Sequence, residues 1–276
     1  MAMRFSTMHG AGNDFVLIDL RGGAAPPTPE LARALGNRHT GVGFDQLLTL
    51  EDSDSVDCVA RYRIWNGDGS VAQQCGNGAR CVAAWLVRDG AAKPPRFALD
   101  SPSGVIEVEC LPEGRYSLEM GRPRFAPAQI PLEMPCEAVH YFAELDGETF
   151  DFGAASMGNP HAVIVVDDID AAPVARLGPA MQSSGLFPEG VNVGFAQILA
   201  PDRIRLRVFE RGAGETLACG SGACAAVAVL VRQGRVTRKV AVELPGGQLD
   251  IEWPLDHAPV RMAGPATFVF EGEWLA

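Results

Sequence analysis

The chain has 276 residues, 47% of them hydrophobic and 21% charged, the balance of an ordinary globular protein with room for one large domain or two of medium size. Its formal charge of −11 argues against nucleic acid and anionic membranes as partners, because both reward positive patches. The seven cysteines are odd in number and form no short-spaced framework, which favours thiols in a reducing compartment over a disulfide scaffold.

In chain order, the opening MAMRFSTMHGAGNDF has no apolar segment of the secretory kind. A soluble, cytoplasmic chain is expected. NDFVLIDL (13–20) is short, rich in large apolar residues and bounded by Gly and Asn, hence a strand. YRIW (62–65) alternates as strands do. After Cys75-Gly-Asn-Gly comes an apolar run, ARCVAAWLV (79–87), which stops at Gly90 as helices do. The Pro-rich MGRPRFAPAQIPLEMP (120–135) reads as a linker, since Pro removes backbone donors and resists helix interiors and central strands. Beyond it, HAVIVV (161–166) and IRLRVF (204–209) read as strands, with His161 following the Asn-Pro turn that leads into the first. ACAAVAVLV (223–231) follows a second Cys-Gly-X-Gly at Cys219 and stops at Gly234. That run is also the longest apolar one, about half of the roughly 20 residues a membrane span needs. Both helices are apolar nearly all round, so each should be buried on every side.

The two halves repeat. Residues 61–90 align with 205–234 without a gap at the 144-residue offset between Cys75 and Cys219. Three further segments recur in the same order: GNDFVLID (12–19) with GNPHAVIVVD (158–167), VGFDQLL (42–48) with VGFAQIL (193–199), and FALDSPSGVIEVE (97–109) with VAVELPGGQLDIE (240–252). Repeats of this kind mark one structural unit used twice. The expected fold is α+β, with two pseudo-symmetric lobes, each a curved and mostly antiparallel sheet around a central buried helix. The lobes are set at 1–124, joined by the returning 264–276, and 125–263, with an active site in the cleft between them.

The paired Cys-Gly corners carry the chemical signal. The first turn of a helix leaves N–H groups unpaired, and glycines there admit a carboxylate or oxyanion. The same field is expected to lower the pKa of a thiol at the corner. One such corner suits a nucleophile. Two related by a repeat suit a reaction in which a proton leaves one face of a carbon and returns to the other. Only Cys75 and Cys219 pair, since Cys81 aligns with Ala225 and Cys224 with Arg80. Cys58, Cys81, Cys110, Cys136 and Cys224 read as small buried hydrophobes. The cysteine spacings lack paired C-x-x-C geometry, so no metal is expected.

MHGAGNDFVLID, CGNGARC, MGNPHAV, EGVNVGF, FERGAGETLACGSGACA and LPGG closely resemble the motifs of the diaminopimelate epimerases, over nearly the whole chain. That resemblance implies a cofactor-free, two-base isomerase that converts LL-2,6-diaminopimelate to the meso form in lysine and bacterial peptidoglycan-precursor biosynthesis. It assigns Cys75 and Cys219 as the catalytic pair, Cys219 accepting and Cys75 donating in the LL-to-meso direction. His161 and Glu210 would tune the thiols. Substrate contacts fall on Asn13, Gln46, Asn66, Gly76, Asn77, Asn159, Asn192, Glu210, Arg211, Gly220 and Ser221. Arg211 can grip a distal carboxylate, Glu210 can pair with an ammonium, and the amides serve either group. The partner is a small molecule; a homodimer is compatible with the sequence. Three other readings stand beside this one: a racemase or isomerase of another amino or hydroxy acid, a redox protein using a Cys75–Cys219 disulfide, and a protein that binds an amino acid without chemistry.

Overall fold

In both halves of the chain, short runs of large apolar residues bounded by Gly, Asn and Pro become strands, and the two small-residue-rich runs become helices. The computed structural model describes residues 2–72, 75–145 and 147–275. They divide into two units, one of residues 1–119 with 263–276 and one of residues 120–262.

In the first unit the strand Ala2–Gly10 lies between Thr267–Leu275 and Asn13–Asp19, antiparallel to both. Asn13–Asp19 runs parallel to Gln46–Glu51, which is antiparallel to Cys58–Asn66. Cys58–Asn66 runs parallel to Arg96–Ser101, and that strand forms a hairpin with Gly104–Leu111. Parallel neighbours need a crossover. Here the crossovers are helices: α1 (Pro29–Gly36) between the first parallel pair and α2 (Gly76–Asp89) between the second. Thr28 caps α1, its side chain accepting from Leu31 N–H, with Pro29 at the first position. Gly90 ends α2 in the left-handed region, at φ 83°, where a side chain would be strained.

The second unit repeats this connectivity. Glu148–Ser156 is antiparallel to Pro160–Val165, which runs parallel to Asn192–Ala200 across α3 (Val174–Ser183). Asn192–Ala200 is antiparallel to Arg203–Glu210. That strand runs parallel to Lys239–Leu244 across α4 (Gly220–Arg232), and a hairpin to Gly247–Glu252 follows.

Each sheet curls round its long helix. α2 touches Ala2–Gly10, Asn13–Asp19, Gln46–Glu51 and the distant Arg115–Glu119; α4 touches Glu148–Ser156, Pro160–Val165, Asn192–Ala200 and Gly247–Glu252. Val82, Ala83 and Leu86 of α2 and Val227, Ala228 and Leu230 of α4 are wholly buried. Each large one contributes about 1.5–3 kcal/mol by leaving water. The strands between two helices are apolar on both faces. Val16, Ile18 and Leu47 pack with Ala32 and Leu35 of α1, while Phe15 and Leu48 lie against Gly78 of α2. Ile164, Val193 and Phe195 pack with Leu177 and Met181 of α3.

Two expectations change. The Pro-rich 120–135 is no loose tether: Ile130 and Leu132 are buried in the core of the second unit, because apolar residues between prolines need no backbone donors to pack. The match of VGFDQLL to VGFAQIL is out of register. Strand pairing sets Gln46 against Phe15 and Asn192 against His161, so Gln46 corresponds to Asn192 rather than to Gln197. Val42 and Phe44 precede their strand, whereas Val193 and Phe195 lie inside theirs. His161 lies within the strand read from HAVIVV, and it is buried.

Among the described residues, no helix is long and apolar enough to cross a membrane, and no group of three or more His, Cys, Asp or Glu could hold a metal ion.

Candidate active site

The helices begin one residue after each cysteine, so the glycines lie inside the first turn and the cysteine itself is the N-cap of α2 or α4. An N-cap side chain faces the first unpaired N–H groups of its helix. Cys75 Sγ accepts from Gly78 N–H at 3.4 Å. A Cβ added at Gly78 would lie 3.5 Å from Cys75 Sγ and 3.0 Å from Leu48, and one at Gly222 would lie 3.2 Å from Cys219 Sγ and 3.2 Å from Val208. Close approach of helix, sulfur and sheet therefore requires glycine at both third positions. Among the described residues no cysteine is in a disulfide.

Around Cys75 the polar neighbours are neutral amides. Its Sγ–H donates to Asn13 Oδ1 at 3.9 Å, and Asn77 Nδ2 donates to the same oxygen at 3.5 Å. Gln46 Nε2 donates to Asn66 Oδ1 at 3.0 Å, and Asn66 Nδ2 to Ser70 Oγ at 3.0 Å. Gln46 and Asn66 face each other at the ends of neighbouring strands. Gly76 and Asn77 are buried in the first turn of α2.

Around Cys219 the neighbours include a carboxylate. Cys219 Sγ–H donates to Glu210 Oε2 at 3.0 Å, and Thr216 Oγ1–H donates to Glu210 Oε1 at 2.5 Å. Ser221 Oγ is 3.7 Å from the sulfur. Asn159 Nδ2 donates to Ser221 Oγ at 3.4 Å, and His161 Nε2 is 2.9 Å from Asn159 Oδ1. A carbonyl oxygen only accepts, so the imidazole carries its proton on Nε2. Burial, with Arg211 adding to it, lowers the His161 pKa to about 3, so the ring is neutral at ordinary pH. Asn192 donates to the Pro160 carbonyl at 3.2 Å and accepts from the Arg211 N–H at 2.9 Å; Arg211 Nη1 donates to the Glu189 carbonyl at 2.5 Å. Gly220 is buried at the start of α4.

One expectation is reversed here. The helix mouth was expected to lower the pKa of both thiols, but burial raises that of Cys219 well above its ordinary range, and the Glu210 charge and hydrogen bond raise it further. At a cysteine only 4% exposed, desolvation and a carboxylate outweigh the partial charge of a helix end. Glu210 thus touches its thiol directly, whereas His161 reaches the Cys219 side only through Asn159 and Ser221. Of the residues named from sequence, Asn13, Cys75 and Asn77 form one hydrogen-bonded group, Gln46 and Asn66 a second at adjoining strand ends. His161, Asn159, Ser221, Cys219 and Glu210 form a third, beside the Asn192–Arg211 pair. Thr216 was missed. Its counterpart in the repeat is Ala72, and that mismatch was its one signal.

The chain is similar to known proteins over almost its full length. The family model for diaminopimelate epimerase matches residues 5–126 and 153–269. A diaminopimelate epimerase of Xanthomonas euvesicatoria is 59% identical over 273 residues, 99% of this chain and 96% of the relative. One of Xylella fastidiosa is 55% identical over the same shares. A crystal structure of a phenazine biosynthesis protein of the PhzF family from Bacillus anthracis superposes with a TM-score of 0.72 at 16% identity, covering 100% of both chains; that likeness speaks to the fold.

Proposed function

The chain belongs to the diaminopimelate epimerase family, and from that premise we propose that Cys219 and Cys75 are the acid–base pair with which it converts LL-2,6-diaminopimelate to the meso isomer in the cytoplasm. The observation that carries this reading is the 3.0 Å contact from the Cys219 thiol to Glu210. A buried thiol is a poor base until its proton has somewhere to go, and Glu210 Oε2 is an acceptor already in place.

The steps balance as follows. The Cys219 S–H bond breaks and its proton passes to Glu210. The resulting thiolate takes the α-proton, breaking the Cα–H bond and leaving its electron pair on carbon, spread into the adjacent carboxylate. Cys75 then gives up its S–H proton to the opposite face of that carbon. Cys219 ends as thiol and Cys75 as thiolate; exchange with water, and return of the Glu210 proton, reset the pair. The α-carboxylate gathers charge in the middle of this sequence, and the first-turn N–H groups of α2 and α4, from Gly76, Asn77, Gly220 and Ser221, are the donors suited to it.

The second head of the substrate accounts for the remaining polar residues. Arg211 would hold the distal carboxylate, a match its planar guanidinium suits better than a point charge would. Gln46, Asn66, Asn159 and Asn192 would serve the ammonium and carboxylate groups through neutral amides. Incubating the reduced chain with LL-2,6-diaminopimelate and no added cofactor, with product resolved on a chiral column, tests the proposal. Meso isomer should accumulate to an equilibrium mixture, while L-proline, which has no second charged head, should remain unchanged. No meso product, or inversion of both substrates at similar rates, would overturn the assignment.

A further inference from the structure

Asn13 and Asn159 occupy corresponding positions two residues before Phe15 and His161, yet their amides point opposite ways. Asn159 turns its Nδ2 towards Ser221 on the Cys219 side and its oxygen away, to His161. Asn13 turns its oxygen to Cys75 and its Nδ2 away, to Asp45 Oδ2 at 2.7 Å. An amide can flip at little cost unless its neighbours forbid one orientation, and donor-only or acceptor-only groups are what forbid it.

Asn13 stands in a chain closed at both ends by such groups. At one end is Arg80, wholly buried, whose guanidinium can only donate. Its Nη2 donates to Asn77 Oδ1 at 2.8 Å and its Nε to the Pro265 carbonyl at 3.2 Å. With its oxygen so engaged, Asn77 presents Nδ2 to Asn13 Oδ1 at 3.5 Å. At the other end is Asp45, an acceptor when ionised, held by Arg38 Nη2 at 2.8 Å. Every donor in the series therefore points the same way, from Arg80 through Asn77 and Asn13 to Asp45. The other half has different residues at both ends: Cys224 stands at the position of Arg80 in the repeat, and Val191 immediately precedes Asn192 as Asp45 precedes Gln46.

We infer that Arg80 and Asp45 are positioning residues that lock the Asn13 amide with its oxygen towards Cys75, so that this sulfur meets an acceptor and rests as the proton-carrying partner. Neither residue touches the sulfur in this series; each acts through an amide. The consequence for the reaction rests on the two-thiol reading above, but the lock does not. If either end is loosened, one of the two constraints is lost and the flipped Asn13 is more often populated, its N–H turned towards the sulfur, a donor that favours thiolate over thiol. Asp45→Asn does this by offering an N–H to the Asn13 oxygen in the flipped state. Arg80→Lys keeps the positive charge and removes the planar fork that reaches both Asn77 and Pro265.

The test is alkylation of the reduced full-length chain by iodoacetamide at pH 7, followed separately at Cys75 and Cys219 by peptide mass spectrometry, with a thermal melt to confirm folding. In both variants Cys75 should react faster by roughly three- to tenfold, since only thiolate attacks, while Cys219 stays within about twofold of the parent. An unchanged or slower Cys75 in either folded variant would overturn the inference. So would an equal acceleration at both cysteines, the mark of general loosening. Asp45 is partly exposed, so Asp45→Asn decides the matter alone if Arg80→Lys does not fold. Turnover of LL-2,6-diaminopimelate by the same parent sample separates the two claims. No turnover with Cys75 accelerated would sink the proposed function and leave the lock standing.

Discussion

The two cysteine corners share a backbone and differ in the side chains their sulfurs meet. Each cysteine caps a buried helix, follows a short hairpin arm and faces a glycine three residues on. Yet Cys75 donates to the amide oxygen of Asn13, which also accepts from Asn77. Cys219 sees the Glu210 carboxylate, braced by Thr216, and a relay from a neutral histidine. In the repeat, Asn66 stands where Glu210 stands and Ala72 where Thr216 stands. Duplication thus supplies the same cysteine corner twice, and a handful of side chains decides which copy has a carboxylate beside its thiol. A symmetric scaffold need not carry symmetric chemistry.

The sharpest way to break this comparison is to remove one sulfur. Cys75→Ala and Cys219→Ala should each lower kcat for epimerisation by about 10⁴-fold, the upper range for a positioned acid or base. Steady-state assays in both directions check this, and a variant with a tenth of the parent rate would mean that one thiol suffices. Next in size, Glu210→Gln should lower kcat by about 10²-fold and act on one corner only. Because the Glu210 charge helps to raise the Cys219 pKa, its removal should move the Cys219 alkylation profile to lower pH and leave that of Cys75 in place.

His161 marks the second corner in the pH dependence of stability. Its folded pKa, about 3, lies below the ordinary 6.5, so the unfolded chain binds the proton first as the pH falls. The stability of the neutral ring is complete above 6.5 and is lost as the pH drops towards 3, at about 1.4 kcal/mol per pH unit. His161→Gln should flatten that slope in urea unfolding measured between pH 6.5 and 5; an unaltered slope would show that the ring is not held neutral. Smallest is the effect at the third helix position. Gly78→Ala places a methyl 3.0 Å from Leu48 and 3.3 Å from Phe15, and should cost about 1–3 kcal/mol. Gly222→Ala should cost a similar amount, since that corner is as tightly closed, and chemical denaturation of the pair tests whether the scaffolds are indeed alike.

Much of this was legible in the sequence because it depends on local chemistry. The strand at 13–19, the helix after Cys75 and the stop at Gly90 follow from burial period and φ alone. α1 is legible in principle from Thr28-Pro29-Glu30, a cap and an acidic first turn. α3 was not: its N-cap is Pro173, no side chain caps it, and Pro179 lies inside it, so only packing of Leu177 and Met181 into the core explains why it forms. The false match of VGFDQ to VGFAQ shows the limit of identity without register. Four of five letters aligned, while strand pairing makes Gln46 the counterpart of Asn192 instead. At the site, residue types named the candidates, but the balance of burial against helix dipole at Cys219 could not be weighed before its exposure was known. Arg80 and Asp45 were invisible for a similar reason, as an arginine in an apolar helix and an aspartate before a strand acquire meaning only through the amides they touch.

The most direct test of the two-thiol account follows solvent deuterium. The parent chain, Cys75→Ser and Cys219→Ser are each incubated with LL-2,6-diaminopimelate in D₂O, and early product is read by proton NMR and mass spectrometry. The account predicts meso product carrying one deuterium at the inverted carbon from the parent, and no appreciable meso product from either variant. Meso product that retains the original α-proton, or inversion that persists at a comparable rate in either single variant, would contradict it.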